Sequence, residues 1–521
     1  MPVLPLPPSV QKVLTEAESK LAHRPKLLQL FKNCFPNTLE TTTKRLDDGT
    51  TFVITGDIPA LWLRDSVEQV IHYVPLAKND PELQAIISGL IKRHIFYVLI
   101  DPYANAFNET ANDWHWNAND VTDMSPWVWE RKFELDSLCF VIRLAHMYWK
   151  ETGLTDFLDV GFKSAIRSIV DVFKTEQRHH ELSPYRFQRN SGVAGDSLRN
   201  EGLGMPVNYT GMIWSGFRSS DDACDFHYNV PANMFAVVAL RQMQDFAEWV
   251  FRDLDLLAEL KELEQEVQRG IELYGIYRHP QFGQIYAYET DGFGNYCLMD
   301  DAGTPGLMSI PYLGYTSLDD EIYQNTRRFA LSKENPFYYE GAVAKGIGSP
   351  HTPAQYIWHM ALSMQGLTAQ SKEEKLEMIS LLEQTDGGTG YMHEGFHSDD
   401  PKIFTRSWFA WSNSLFSQLV YKAMEEEILW WSGLKNGLTK DTEGGTSRGF
   451  LRSLYFSRIP LSYTYRILSK IVCLKIGSIL KSVLDNKLTK RRSREMVEKR
   501  TRPPLRSQFH PFNTFLKKMG P

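Results

Sequence analysis

Ten windows in which apolar residues recur at helical spacing run along the chain, near 66–77, 81–99, 133–151, 156–175, 229–251, 254–274, 318–332, 352–366, 371–384 and 406–427. Between them lie 101–129, 181–228, 276–305, 335–351 and 385–404, dense in Gly, Pro, Asn, Asp and aromatic residues. These segments are too long to be simple connectors, and long loops on a rigid scaffold usually carry function. Helix pairs joined alternately by short turns and long decorated loops predict an all-α fold, an (α/α)6 barrel whose long loops gather at one pole and form the active site. An N-terminal helix and a short one near 306–315 bring the windows to about the dozen that six pairs require.

A chain of 521 residues can enclose one large core with a pocket in it. Charge sets the expected boundary: residues 436–521 hold 19 Lys/Arg against 5 Asp/Glu, although the whole chain carries 57 and 63. Residues 1–435 therefore read as an acidic catalytic domain, and 436–521 as a basic, partly disordered tail able to touch an acidic surface. The acidic body argues against a nucleic-acid partner. The five cysteines, Cys34, Cys139, Cys224, Cys297 and Cys473, are scattered and odd in number, which suits neither a disulfide framework nor a zinc knuckle. The N-terminus has no basic region followed by an apolar stretch, and no later segment is expected to supply the roughly 18 apolar residues of a membrane span. The expectation is a soluble, cytoplasmic protein without a transmembrane segment.

Several loop clusters carry candidate chemistry. In Gly56-Asp57-Ile58-Pro59-Ala60-Leu61-Trp62-Leu63-Arg64-Asp65-Ser66, Trp62 offers an apolar platform, and Arg64 beside Asp65 sets a donor fork next to an acceptor, which suits neighbouring hydroxyls of a sugar. The plainer reading makes Asp65 a helix cap. Trp129-Glu130-Arg131-Lys132-Phe133-Glu134-Leu135-Asp136 opens a helix; Arg131 and Glu134 read as salt-bridged helix-start residues, while Glu130, Lys132 and Asp136 are ligand candidates. Gly216-Phe217-Arg218-Ser219-Ser220-Asp221-Asp222 leads to a helix with two adjacent acids near an arginine, a setting that can raise the pKa of one acid for use as a proton donor. Gly346-Ile347-Gly348-Ser349-Pro350-His351 places His351 ahead of a helix, as a core, capping or sugar-binding histidine.

The stretch His393-Glu394-Gly395-Phe396-His397 spells a zinc-peptidase string. That motif needs a continuous helical turn to put both histidines on one face, and the glycines before and within the string speak against one. Read as a loop, it offers Glu394 as a base; no metal or cofactor is expected.

Taken together, GDIPALWLRDS, VWERKFELDSLC, SDDAC, MDDAGTPGLMSIPYLGY, GIGSPHTP, MHEGF and FAWSNSLF, in this order over about residues 35–430, resemble the family 125 glycoside hydrolases. The resemblance implies an exo-acting α-1,6-mannosidase on an (α/α)6 barrel, metal-independent and inverting, with an α-mannoside glycan or oligosaccharide as substrate. It assigns Asp221 as general acid, with Asp222 the neighbouring alternative, and Glu394 as base. Arg64 and Asp65 would hold the terminal mannose, and Trp62, Glu130, Arg218, Asp222 and His351 would be further substrate contacts. The chain departs from the family pattern at Ser219 and Ser407, where prolines are usual, and at Gly395, where serine is. A glucoamylase-like α-glucosidase and a non-catalytic sugar-binding toroid are the rival readings.

Overall fold

Helices make up most of the regular structure of residues 5–429, the part of the chain that the computed structural model describes. The basic tail expected over 436–521 lies outside the described residues. Most windows become helices close to their expected bounds: Pro81–Ile100, Leu135–Thr152, Val160–Glu176, Val230–Asp245, Leu254–Tyr274, Glu321–Ala330, Lys372–Gln384 and Ala410–Glu425. The N-terminal helix is two, Pro8–Lys20 and Pro25–Cys34, each opened by a proline whose missing N–H is no loss in a first turn. The 352–366 window differs. Its first half holds Pro353 and the strand Tyr356–Trp358, and helix begins only at His359, running to Leu367.

Two kinds of helix are present. Leu254–Tyr274 buries one stripe, Leu256, Leu260, Leu263, Val267 and Ile271, as a helix does when its other face meets water. Ala410–Glu425 instead buries nearly every residue of its first two turns, Ser412, Asn413 and Ser414 included. Leu63–Glu68, Leu135–Thr152, Val230–Asp245 and His359–Leu367 are likewise enclosed over most of their length. These inner helices pack in sequence. Leu63–Glu68 meets Leu135–Thr152, which meets Val230–Asp245, which meets the short helix Ile310–Leu313. The turn Leu307–Ser309 then packs on His359–Leu367, which packs on Ala410–Glu425, which returns to Leu63–Glu68.

The long loops contain short antiparallel strands, several of which run straight into an inner helix. Leu61–Trp62 precedes Leu63–Glu68, Tyr228–Asn229 precedes Val230–Asp245, and Tyr356–Trp358 precedes His359–Leu367. Leu61–Trp62 pairs with Ala106–Phe107, which pairs with Val128–Glu130; Tyr356–Trp358 pairs with Gly395–His397, which pairs with Asp400–Phe404. Side chains from distant parts of the chain are thereby fixed beside the N-terminal ends of the inner helices.

Contrary to the sequence expectation, Pro81–Ile100 is long and apolar enough to cross a membrane, with a mean hydropathy of 1.4 over its best 18 residues. It buries Arg93 and His94 along with Leu83, Ile86, Ile87, Leu90, Ile91 and Ile95 and packs on Leu135–Thr152 and Val160–Glu176, which is the setting of a core helix. Among the described residues, Cys34, Cys139, Cys224 and Cys297 are free thiols.

Candidate active site

One pocket gathers Trp62, Arg64, Asp65, Asp221, His351 and Glu394, together with Ile58, Ser219, Ser220, Trp358, Arg406, Phe409 and Trp411. Asp221 and Glu394, from loops far apart in sequence, thus face one hollow. Asp65 does not cap its helix: the helix starts at Leu63, and Asp65 sits inside its first turn.

Asp221 occupies a tight turn at φ 70°, a conformation unfavourable for a residue with a Cβ and maintained only where neighbours over-determine it. The Asp221 amide donates to the Arg218 carbonyl at 3.0 Å and the Arg218 amide to the Asp222 carbonyl at 2.8 Å. The Lys132 ammonium donates to the Asp221 carbonyl at 2.8 Å, and the Ser220 hydroxyl to Asp301 at 2.5 Å. Glu394 is fixed differently. Its carbonyl accepts from the His359 amide at 3.3 Å, and the preceding carbonyl, of His393, accepts from Ser412 at 2.8 Å, which ties the loop to the starts of two inner helices. A side chain at Gly395 would come within 3.1 Å of the Trp358 indole, so glycine lets that ring lie close against the strand beside the pocket. Arg406 reaches across, its Nη1 3.7 Å from Glu394 Oε1, while it pairs with Asp57 and lies 4.1 Å from the Phe409 ring centroid.

The electrostatic centre is Arg64, 2% exposed. Its Nη1 donates to Glu134 Oε2 at 2.7 Å and Asp136 Oδ2 at 3.0 Å, and its Nη2 to Glu134 Oε1 at 3.4 Å and Asp221 Oδ1 at 3.1 Å. The sequence reading gave Arg64 to the sugar; the structure shows its fork committed to three carboxylates, with Asp65 3.9 Å from Nε. Arg64 and the buried Lys132 face the buried Asp65, Glu134 and Asp136 and the half-buried Asp221, while the two further cations near them are paired elsewhere, Arg406 with Asp57 and His351 with Asp222, so ionising all four would leave buried charge without a partner. The cluster therefore retains protons. Burial pushes Glu134 up, Arg64 offsets this only in part, and the neighbouring Asp221 and Asp136 push it further, so it lies well above the usual carboxylate range. Burial also raises Asp221, but Arg64, Lys132 and a hydrogen bond with Glu134 outweigh it, and Asp221 is held below that range. Asp65 is lifted to about 6 by burial against the pull of Arg64.

The remaining predicted contacts lie elsewhere. Glu130 is buried beside the pocket, accepting from Asn105 at 3.0 Å and Arg189 at 2.9 Å, and does not line it. Arg218 is spent on Glu289 at 2.5 Å and Asp225 at 3.1 Å and lines an adjoining hollow together with Asp222. Asp222 holds His351 Nδ1 at 3.0 Å, and although burial opposes it, that bond and charge raise the imidazole to about 9. The His393–His397 string forms loop and strand, with the His393 ring nitrogens engaged by Thr389 and the Arg406 carbonyl, so the two-histidine helical face of a zinc peptidase does not form. The sequence did not single out Trp358, Arg406, Phe409 and Trp411 as pocket walls; Glu134 is the salt-bridged helix-start residue expected, with Arg64 as its partner. The crowding of aromatics and arginine just after the MHEGF segment was the only local signal for three of these.

The pocket's donors and aromatic walls suit a carbohydrate, and the comparisons agree. The profile of the metal-independent alpha-mannosidases, GH125, matches residues 24–421. A metal-independent alpha mannosidase from Streptococcus pneumoniae, solved in a non-productive complex with alpha-1,6-mannobiose, is 46% identical, covering 80% of this chain and 98% of its own with a TM-score of 0.79. The meiotically up-regulated gene 157 protein of Schizosaccharomyces pombe is 37% identical over 440 residues, 80% of this chain and 86% of that protein. A matched profile over most of the chain, together with relatives at this identity, places the protein in glycoside hydrolase family 125, the metal-independent alpha-mannosidases.

Proposed function

We propose that the protein is an exo-acting α-1,6-mannosidase that hydrolyses its substrate with inversion, on an (α/α)6 barrel. The closed packing circuit of inner helices supports the barrel, and the complex of the streptococcal relative with α-1,6-mannobiose supports the linkage. The observation that carries the reading is the meeting of Asp221 and Glu394 in one pocket walled by Trp62, Trp358 and Trp411. Asp221 protonates the departing glycosidic oxygen while Glu394 takes a proton from water attacking the anomeric carbon from the opposite face.

In the resting pocket Asp221 is held ionised, and the neighbouring Glu134, whose proton is held firmly, is the source assigned to it. Glu134 Oε2 already accepts from Arg64 at 2.7 Å and Ser137 at 2.9 Å, whereas Oε1 has only longer contacts, 3.4 Å to Arg64 and 3.3 Å to Asn105. Glu134 and Asp221 share a hydrogen bond, and Oε1, the less engaged oxygen, is the one assigned its proton. Passing it to Asp221 leaves a Glu134 carboxylate already seated on the Arg64 fork, so the acid is charged without burying a new unpaired ion.

The test is a panel of α-1,6-, α-1,2- and α-1,3-mannobiosides beside α-glucosides, with Asp221→Asn and Glu394→Gln as controls. Release of mannose from the α-1,6 substrate alone, lost in both variants, is expected; glucose release from the glucosides would favour the glucosidase rival.

A further inference from the structure

Trp114 and Trp116 are 63% and 52% exposed, unusual for residues whose burial repays so much, and neither is explained by the core. They do not sit on a loose loop. The Asn108 amide donates to the Trp114 carbonyl at 2.8 Å and the Pro126 carbonyl at 3.2 Å, the Trp116 amide donates to the Trp129 carbonyl at 2.8 Å, and His115 between them is turned inward to the Val128 carbonyl at 2.8 Å. Farther along, Asp120 is gripped by Arg189 at 2.8 and 2.6 Å, and Arg189 is itself held by Glu130. The segment is a fixed ledge presenting two indoles to solvent.

The ledge is continuous with the pocket. Trp62 pairs with Ala106, Ala106 with Glu130, and Trp116 bonds to Trp129 beside Glu130, while Trp129 packs against the small cluster of Ala60, Trp62 and Ala106. Three steps of roughly 4.8 Å put the Trp116 backbone about 14 Å from Trp62. A disaccharide with its terminal ring sunk in the pocket does not span that distance; a longer chain does.

Resting on the mannosidase reading above, we propose that Trp114 and Trp116 form an outlying aglycone site for a mannosyl oligosaccharide longer than a disaccharide, stacking its rings beyond the point of cleavage. The surroundings select a neutral polyhydroxylated partner. Residues 108–125 contain Glu109, Asp113, Asp120 and Asp123 but no Lys or Arg, and the cations that reach them from elsewhere are paired, Lys44 with Glu109 and Arg189 with Asp120, whereas nucleic acids and anionic membranes are bound on basic surfaces. Asn112, Asn117 and Asn119 supply amides that can donate to and accept from hydroxyls.

The experiment compares the full chain with Trp114→Ala/Trp116→Ala on α-1,6-mannobiose and on linear α-1,6-mannotetraose and mannohexaose. Stacking on an indole contributes about two- to ten-fold per ring. The intact protein should therefore show a KM that falls with chain length, and the double variant a KM on mannohexaose raised about ten-fold with disaccharide kinetics unchanged. Calorimetric binding of mannohexaose to Asp221→Asn, with and without the two tryptophan substitutions, reads the ledge apart from turnover. Equal mannohexaose affinity in both would overturn the proposal, as would an equal loss on mannobiose, which would make the ledge part of the pocket's scaffold. If the intact protein cleaves none of these mannosides, the mannosidase reading fails while the calorimetric arm still decides the ledge.

Discussion

Replacing Glu134 by Gln isolates the proton that the buried cluster is argued to hold. The amide nitrogen can take the place of Oε1 towards Asp221 while the oxygen still accepts from Arg64 and Ser137. Besides the capacity to give up a proton, only the two longer bonds that Oε1 accepts from Arg64 and Asn105 are lost. In the intact protein, full ionisation of the Glu134–Asp221 pair sets two like charges at hydrogen-bonding range, opposed by about 4 kcal/mol at an effective dielectric of about 20. That corresponds to about 3 pH units over which the pair keeps one proton for the leaving group. In the variant Asp221 ionises alone beside Arg64 and Lys132, whose charges hold it low. The alkaline limb of kcat/KM should therefore move towards acid by roughly 2–3 units, with a loss on the order of a hundredfold or more at pH 7 that recovers towards pH 4. The assay is a pH–rate profile on α-1,6-mannobiose with thermal unfolding as a control for folding. An unshifted profile, or a uniform loss at every pH, would show that Glu134 has only a structural part.

Other outcomes follow from the same site. Asp221→Asn and Glu394→Gln should each lower turnover by several orders of magnitude while leaving the circular dichroism spectrum and Tm nearly unchanged; near-normal turnover in either would remove that residue from the chemistry. Arg64→Met should be the most destabilising change in the pocket, by about 3–5 kcal/mol in chemical denaturation, because it takes the cation from Asp136 and Asp221 and the donor fork from Glu134; a loss below about 1 kcal/mol would mean the cluster is neutralised some other way. Burial holds His72, His94 and His359 down at about 3. Their neutral forms thus contribute stability that is complete above about pH 6.5 and lost as pH falls, about 1.4 kcal/mol per unit for each group, so Tm should drop steeply between pH 6 and 5. A level Tm over that interval would contradict neutral buried imidazoles.

The helices were legible in the sequence because apolar spacing marks them, as in Leu254–Tyr274, and the motifs that carry the family resemblance picked out Asp221 and Glu394, which line one pocket. What was illegible is set by partners far along the chain. Arg64 lines the pocket as its motif suggested, but nothing near it in sequence shows that Glu134, Asp136 and Asp221, at least 70 positions away, also engage its fork. Glu134 is the salt-bridged helix start that its surroundings in sequence suggested, but its partner Arg64 lies 70 positions back, and the burial that raises its pKa leaves no local mark. Glu130 and Arg218 were sound guesses by chemistry, yet each is saturated by a buried partner from another loop, Arg189 and Glu289. Strands of two to five residues such as Leu61–Trp62 are too short to show a period, although they place the helix starts that frame the pocket.

The configuration of the sugar as it leaves the pocket depends on whether water or a carboxylate attacks the anomeric carbon. Proton NMR of an α-1,6-mannobioside in the first minutes of hydrolysis, before mutarotation, should show β-mannose accumulating first, as expected when Glu394 directs water to the face opposite the departing group. Initial release of α-mannose would mean that a carboxylate attacks the sugar itself, and the division of labour between Asp221 and Glu394 would be wrong.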